Sequence, residues 1–357
     1  MLPRQDGPLP ETNRLKKRLQ ALAVSLLGLL LLAWFFKGAD FSAIRESLGR
    51  ARPSLILSAA ALTMVTYFLR AVRWSYLLRP LGFAGLGPLF TTTVIGFAMN
   101  FLLPTGRVGE LARPYLLARK AGFSASSTFA TVFLERLFDL VTVVVLVGFW
   151  LVVGDEPPGA DGGEAVRALK LGGAVAASGC VVGLAFLSVA VRNRDRALSW
   201  LGALARRLPR RAATVAIRFT ESFTVGLNVL KDPTALALAG ALSILLWINI
   251  ALALWCGAQA FGVLVSVGDN FLVIGFLVVG VAVPTPGAVG GYHVMYALAL
   301  TMLFGVEANV AKAAALVNHL IAFVPVSILG VALLSWQKLS FGDVKRLVSS
   351  AETAEVK

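Results

Sequence analysis

The sequence predicts an all-α polytopic membrane protein with about six full spans and two broken re-entrant hairpins. Three observations carry this. The 357 residues are 57% hydrophobic and only 15% charged, against about 45–50% apolar and about 25% charged in soluble domains. Apolar runs of roughly 20 residues, enough to cross a bilayer, recur along the chain. Two further apolar runs, 88–99 and 271–283, are too short to cross, and each ends in a Pro-Thr break. The breaks read Leu103-Pro-Thr-Gly-Arg-Val-Gly109 and Val283-Pro-Thr-Pro-Gly-Ala-Val-Gly290. Non-helical backbone at membrane depth is tolerated only when buried in protein or lining a wet cavity, so both breaks mark candidate functional ground.

In order, residues 1–18 form a basic cytoplasmic tail, and the run Leu19–Phe36 is the first span. Residues 37–53 are a mixed-charge outer connector, a candidate interfacial helix, and the second span is 54–78. A hairpin over 86–120 enters and leaves on the cytoplasmic side, where Arg119 and Lys120 close it, and the third span covers 126–152. Residues 153–167, rich in Asp, Glu, Gly and Pro, are an external loop. The fourth span is 168–191. A basic segment over 192–230 follows, with Arg192, Arg194, Arg196, Arg206, Arg207, Arg210, Arg211 and Arg218, and it suits the cytoplasmic face and anionic lipid. The fifth span is 234–258, the second hairpin 270–304, the sixth span 312–335, and 336–357 is a cytoplasmic tail. Each half (19–152 and 168–335) thus reads span, span, broken hairpin, span. Three spans per half invert the second relative to the first, so the hairpins enter from opposite sides, as in inverted-repeat transporters.

The formal net charge of +14 is accounted for by cytoplasmic loops collecting Lys and Arg, so no nucleic-acid partner is expected. Cys180 and Cys256 sit inside apolar runs as small core residues, and His293 and His319 are far apart in sequence. There is no phosphate-binding loop, dinucleotide fingerprint or nucleophile elbow in the sequence. The expectation is therefore a protein without metal or cofactor that is not an enzyme.

The candidate substrate-binding residues are charged groups at membrane depth, which usually face a partner or water. Arg70, Arg73 and Trp74 share one helical face. They read either as snorkelling cations with an aromatic belt residue or as a site for lipid phosphate. Asn100, Arg107, Glu110 and Arg113 surround the first break, which Pro104 and Gly106 shape. Glu135, Arg136 and Asp139 sit within the third span, either as a buried ion-pair lock or as the wall of a polar cavity shared with Arg107 and Glu110. Pro284, Pro286, Gly287 and Gly290 shape the second break, and His293 follows it as a titratable group or as a capping or packing histidine.

At Arg70-Ala-Val-Arg-Trp74, Asn100 through Arg113, Glu135-Arg136 with Asp139, and Pro284-Thr-Pro-Gly287 with Gly290, the sequence resembles the flippase-like membrane domain of lysylphosphatidylglycerol synthase, over residues 15–340. The resemblance implies handling or transbilayer movement of a polar lipid in the cytoplasmic membrane. It implies no synthase activity, because the chain lacks the family's soluble aminoacyl-transfer domain. Where relatives read Pro-Gly-Gly-x-Gly-x-x-Glu, this chain has Ala288 for the second glycine and His293 for the glutamate. The expected partners are membrane lipids with phosphate-bearing head groups, with a homo-oligomer or a lipid or glycan synthase as further possibilities. Proton-coupled solute transport, or a non-transport partnership with such a synthase, are the alternatives to lipid movement.

Overall fold

The computed structural model of the chain describes residues 11–103, 108–155, 157, 221–283, 285–344 and 346, with scattered positions between 167 and 193. The break residues Pro104, Gly106, Arg107 and Pro284, the arginines Arg192 to Arg218, Cys180, and most of the expected external loop and fourth span lie outside the described residues.

The described residues are helical, joined by short turns. Helix α1 is Glu11–Phe36, and α2, Phe41–Arg50, leaves it at an angle of 86° in the connector where an interfacial helix was expected. The Asp40 carboxylate starts α2 by accepting from the Ser42 and Ala43 amides, two donors that a helix N-terminus otherwise leaves unpaired. Then come α3 (Pro53–Leu77), α4 (Leu86–Leu102), α5 (Val108–Ala121), α6 (Ala125–Val153), α7 (Pro233–Gln259), α8 (Asp269–Ala282), α9 (Gly291–Phe304) and α10 (Ala308–Trp336). Proline at the first turn opens α3 and α7, where its missing amide costs nothing. Among the described residues five helices are long and apolar enough to cross a membrane, counting Pro286–Phe304 (α9 with the turn before it) as one, and six when the bent α1–α2 pair is included. The chain is thus an all-α polytopic membrane protein.

Helices α4 and α8, at 17 and 14 residues, or roughly 26 and 21 Å at 1.5 Å per residue, are shorter than the long spanning helices. Each packs on the helix that follows its break, α4 on α5 and α8 on α9. The close approach is made in the same way twice. A Cβ on Gly109 of α5 would strike the backbone of Gly96 on α4, and a Cβ on Gly291 of α9 would strike the backbone of Gly280 on α8. Backbones in such contact tolerate only glycine on that face.

The two pairs are braced differently. Around α8 and α9 lies the largest apolar cluster, including Leu272, Ile274, Tyr296, Leu300 and Ala314. The α4–α5 pair is held from the side by α10 and by the chain beyond it. That chain turns at Lys338 (φ 54°). Ser340 and Asp343 then cap a new helical turn, the Ser340 amide donating to Asp343 Oδ2 (2.8 Å) and the Asp343 amide to Ser340 Oγ (3.1 Å). Leu339, Phe341 and fully buried Val344 join Ile95, Met99, Ala112 and Leu116 in one cluster. The segment expected as a tail over 336–357 is packed as far as Val344, because Leu339, Phe341 and Val344 match the flank of α4 and α5.

Candidate functional site

Three helices bring the charged residues together. Arg70 and Arg73, three apart on α3, are 7% and 0% exposed, and Trp74 beside them is fully buried. This corrects the reading of the three as snorkelling residues at the interface: they point inward because α6 presents two carboxylates to them. Arg73 Nη1 donates to Asp139 Oδ1 (2.6 Å) and to Ser243 Oγ on α7 (2.9 Å). Arg70 Nη1 donates to Asp139 Oδ2 (3.0 Å). Arg113 on α5 grips Glu135 with both prongs of its fork, Nη1 to Oε1 at 2.8 Å and Nη2 to Oε2 at 2.9 Å. Arg73 Nη2 lies 3.4 Å from the same Glu135 Oε1. The Arg113 guanidinium also lies over the Trp74 ring, 3.9 Å from its centroid, and the indole is fixed by its N–H donating to Thr131 Oγ1 (2.9 Å). A charge this deep is stable only when paired and hydrogen-bonded, and each of these is.

The ion-pair lock and the polar cavity wall, open alternatives from the sequence, are both present on α6, one turn apart. Glu135 is sealed and binds α5 to α6 and α3. Asp139 and Arg136 instead border a cavity of about 420 Å³, with Arg70, Glu110 and Asn100. There the contacts are looser: Arg136 Nη1 to Asp139 Oδ2 at 3.4 Å and Arg136 Nε to Glu110 Oε1 at 3.7 Å. Arg136 keeps a third of its side chain exposed and Glu110 27%. The cavity lies between the two broken pairs. Asn100 and Leu103 reach it from the first break and Val283, Thr285, Pro286 and Ala288 from the second, while Val143, Ile250, Leu277, Val278 and Phe323 supply apolar wall. Asn100 Oδ1 and Thr285 Oγ1 are buried without a hydrogen-bond partner among the described residues.

Four residues that sequence reasoning gave no role in this site belong to it. Ser243 and Trp247 come from α7, the Trp247 N–H donating to Asp139 Oδ1 at 3.3 Å. Thr285 follows the second break. Phe97 on α4 carries both Arg70 and Arg136 over its ring. The Ser243 hydroxyl among aliphatic neighbours was the available hint for α7.

His293 is not part of the cavity wall, which corrects its place among the substrate-binding residues. Its Nδ1 accepts from the Gly290 amide (3.3 Å), so it caps α9, and its ring packs 4.3 Å from His319 and 5.4 Å from Phe35. Beside it His319 Nε2 meets Gly287 O at 2.8 Å. His319 thus holds the turn Pro286–Ala288, in which Gly287 and Ala288 both have positive φ, 59° and 55°, and His293 holds Gly290 after it. Ala288 therefore occupies a conformation that suits glycine better.

A model of the lysylphosphatidylglycerol synthase transmembrane region matches residues 19–330. Among curated proteins the chain is 27% identical over 332 residues to "Glycosyltransferase AglD" of Haloferax volcanii, covering 86% of this chain and 52% of that protein, so it spans about half the relative's length. It is 28% identical over 315 residues to a "UPF0104 membrane protein" of Methanothermobacter thermautotrophicus, covering 81% of this chain and 87% of that one. The first relative carries an enzyme's name, which overturns the expectation, drawn from missing nucleophile and cofactor motifs, that the chain is not an enzyme. The family is related to lipid or glycan handling at membranes. With its match running from the first span into the last, the chain belongs to the lysylphosphatidylglycerol synthase transmembrane-region family.

Proposed function

We propose that this protein binds a polar lipid with a phosphate-bearing head group and moves it across the cytoplasmic membrane through the cavity between its two broken helical pairs. The observation that carries the reading is the asymmetry of that cavity. One end is charged, with Arg70, Arg136, Glu110 and Asp139, and the rest of the wall is dominated by aliphatic and aromatic side chains. A small hydrophilic solute gains nothing from such a wall, whereas an amphiphile matches both parts. The volume of about 420 Å³ suits a head group with the start of its acyl chains. Arginine forks favour phosphate because they donate along two parallel lines.

In this reading α4–α5 and α8–α9 are re-entrant hairpins of two inverted repeats, entering from the cytoplasm and from outside, with both chain termini cytoplasmic. The Arg113–Glu135 lock holds the first hairpin's outgoing helix, and Arg107, which lies outside the described residues, is a head-group candidate from the sequence alone. The name of the Haloferax relative favours a second reading, in which the lipid carries a glycan.

The test is lipid translocation in proteoliposomes, using labelled phospholipids and a labelled lipid-linked sugar, with Arg136→Ala, Arg107→Ala and Glu110→Gln beside the wild type. Head-group-selective movement lost in the variants supports the proposal and decides between the phospholipid and the glycolipid. A wild type that moves neither, or variants that move lipid at the wild-type rate, sink it.

A further inference from the structure

Phe97 lies on α4 as an uncharged ring beside two cations. The Arg70 guanidinium carbon is 5.1 Å from its centroid and that of Arg136 is 5.4 Å. All three residues border the cavity. The ring is itself held edge-on by Tyr67 (5.2 Å between centroids) and leans on Phe101 (6.1 Å). Two like charges therefore share one aromatic ring.

The charge count explains why a ring is useful here. Among the described residues the cluster holds four guanidiniums (Arg70, Arg73, Arg113, Arg136) and three carboxylates (Glu110, Glu135, Asp139), an excess of one positive charge, 4 − 3 = +1. A fourth carboxylate would cancel that charge and occupy N–H donors. An aromatic ring attracts a guanidinium through its quadrupole, at the face, and leaves the in-plane N–H groups to other acceptors.

We infer that Phe97 is a positioning residue: it holds the Arg70 and Arg136 guanidiniums at the cavity wall with N–H donors still available for an anionic head group. The inference rests on the lipid-binding reading given above and extends it to head-group charge. A net-anionic phospholipid gains from the uncancelled cation, and a zwitterionic one brings its own ammonium and gains less.

The experiment measures binding of short-chain phosphatidylglycerol and phosphatidylcholine to the purified full chain by native mass spectrometry, alongside movement of labelled forms of both in vesicles. The variants are Phe97→Leu, Phe97→Trp and a series with progressively fluorinated phenylalanine at position 97, which keeps the ring's shape while draining its face of negative charge. Loss of the cation–π contacts should weaken phosphatidylglycerol binding by about two- to thirtyfold and leave phosphatidylcholine unchanged. Phe97→Trp should restore the preference, and fluorination should erode it in steps. An unchanged preference in Phe97→Leu, or a flat fluorination series, overturns the inference; if the leucine variant does not fold, the fluorinated series decides alone. A graded preference in binding, with no lipid moved by the wild type, leaves Phe97 its role and removes the transport reading. Lipid movement indifferent to position 97 does the reverse.

Discussion

Replacing Glu135 by glutamine tests whether the buried cluster holds the first helical pair in place. Glu135 is fully buried and accepts both prongs of the Arg113 fork, at 2.8 and 2.9 Å. Arg73 and Arg70 stand 3.4 and 3.8 Å from the same carboxylate. The change keeps the shape but takes the cluster from 4 − 3 = +1 to 4 − 2 = +2 and leaves Arg113, 2% exposed, with no anion in its fork. Removing one partner of a buried ion pair costs about 3–5 kcal/mol. Extending the size scaling of unfolding entropy to a chain of this length gives roughly 1–2 °C per kcal/mol, so Glu135→Gln should melt about 3–10 °C below the wild type in detergent. The double variant Arg113→Leu/Glu135→Leu restores the count to 3 − 2 = +1 and replaces the pair with apolar volume, so it should recover most of that loss. A cycle of Arg113→Leu, Glu135→Leu and the double, read by thermal unfolding, gives the coupling. The reasoning is refuted if Glu135→Gln melts with the wild type, or if the double variant is as unstable as the two single losses added together.

Other expectations follow from single contacts. Ala288→Gly relieves a left-handed conformation worth about 1–2 kcal/mol, offset in part by glycine's backbone entropy, so thermal unfolding should show a gain of roughly 0.5–1 kcal/mol and no loss. Gly109→Ala should lower stability severely or prevent accumulation of folded protein, because its methyl meets the backbone of Gly96; size-exclusion monodispersity reads this out, and a well-behaved variant contradicts the packing. Glu307 caps α10 by accepting from the amides of Asn309 and Val310, and these bonds hold its carboxyl below the usual range. A depressed folded pKa contributes stability above the unfolded value that is lost as pH falls through the folded one. Glu307→Ala should therefore cost ~0.5–1 kcal/mol at neutral pH, a difference that closes on acidification; a pH-independent difference contradicts it.

Three of the long helices were legible because hydrophobic length is a local property. The boundaries expected at 54–78, 126–152 and 234–258 sit within a residue or so of α3, α6 and α7. The charged face of α6 was legible for the same reason: Arg136 and Asp139 are three apart and meet at 3.4 Å. What the sequence could not show is which distant group each charge would choose. Arg73 and Asp139 are separated by 66 positions and Arg113 and Glu135 by 22, and nothing local distinguishes an arginine that snorkels from one that turns inward. The cavity was half legible. Its two breaks announce themselves through Pro, Thr and Gly, but Phe97, Trp247 and Thr285 look like ordinary residues of apolar stretches until the helices are packed. The His293 substitution drew notice as a departure from relatives, and its structural part is a cap on α9.

The short C-terminal turn beyond α10 makes the first helical pair answerable to whatever pulls on the end of the chain. Phe341 and Val344 are seated against residues of both α4 and α5, so tension applied just downstream would be felt by that pair before it reached α10. A bulky affinity tag or fluorescent protein joined soon after Val344 would act as such a load. Reporters placed elsewhere on the chain leave that leash slack.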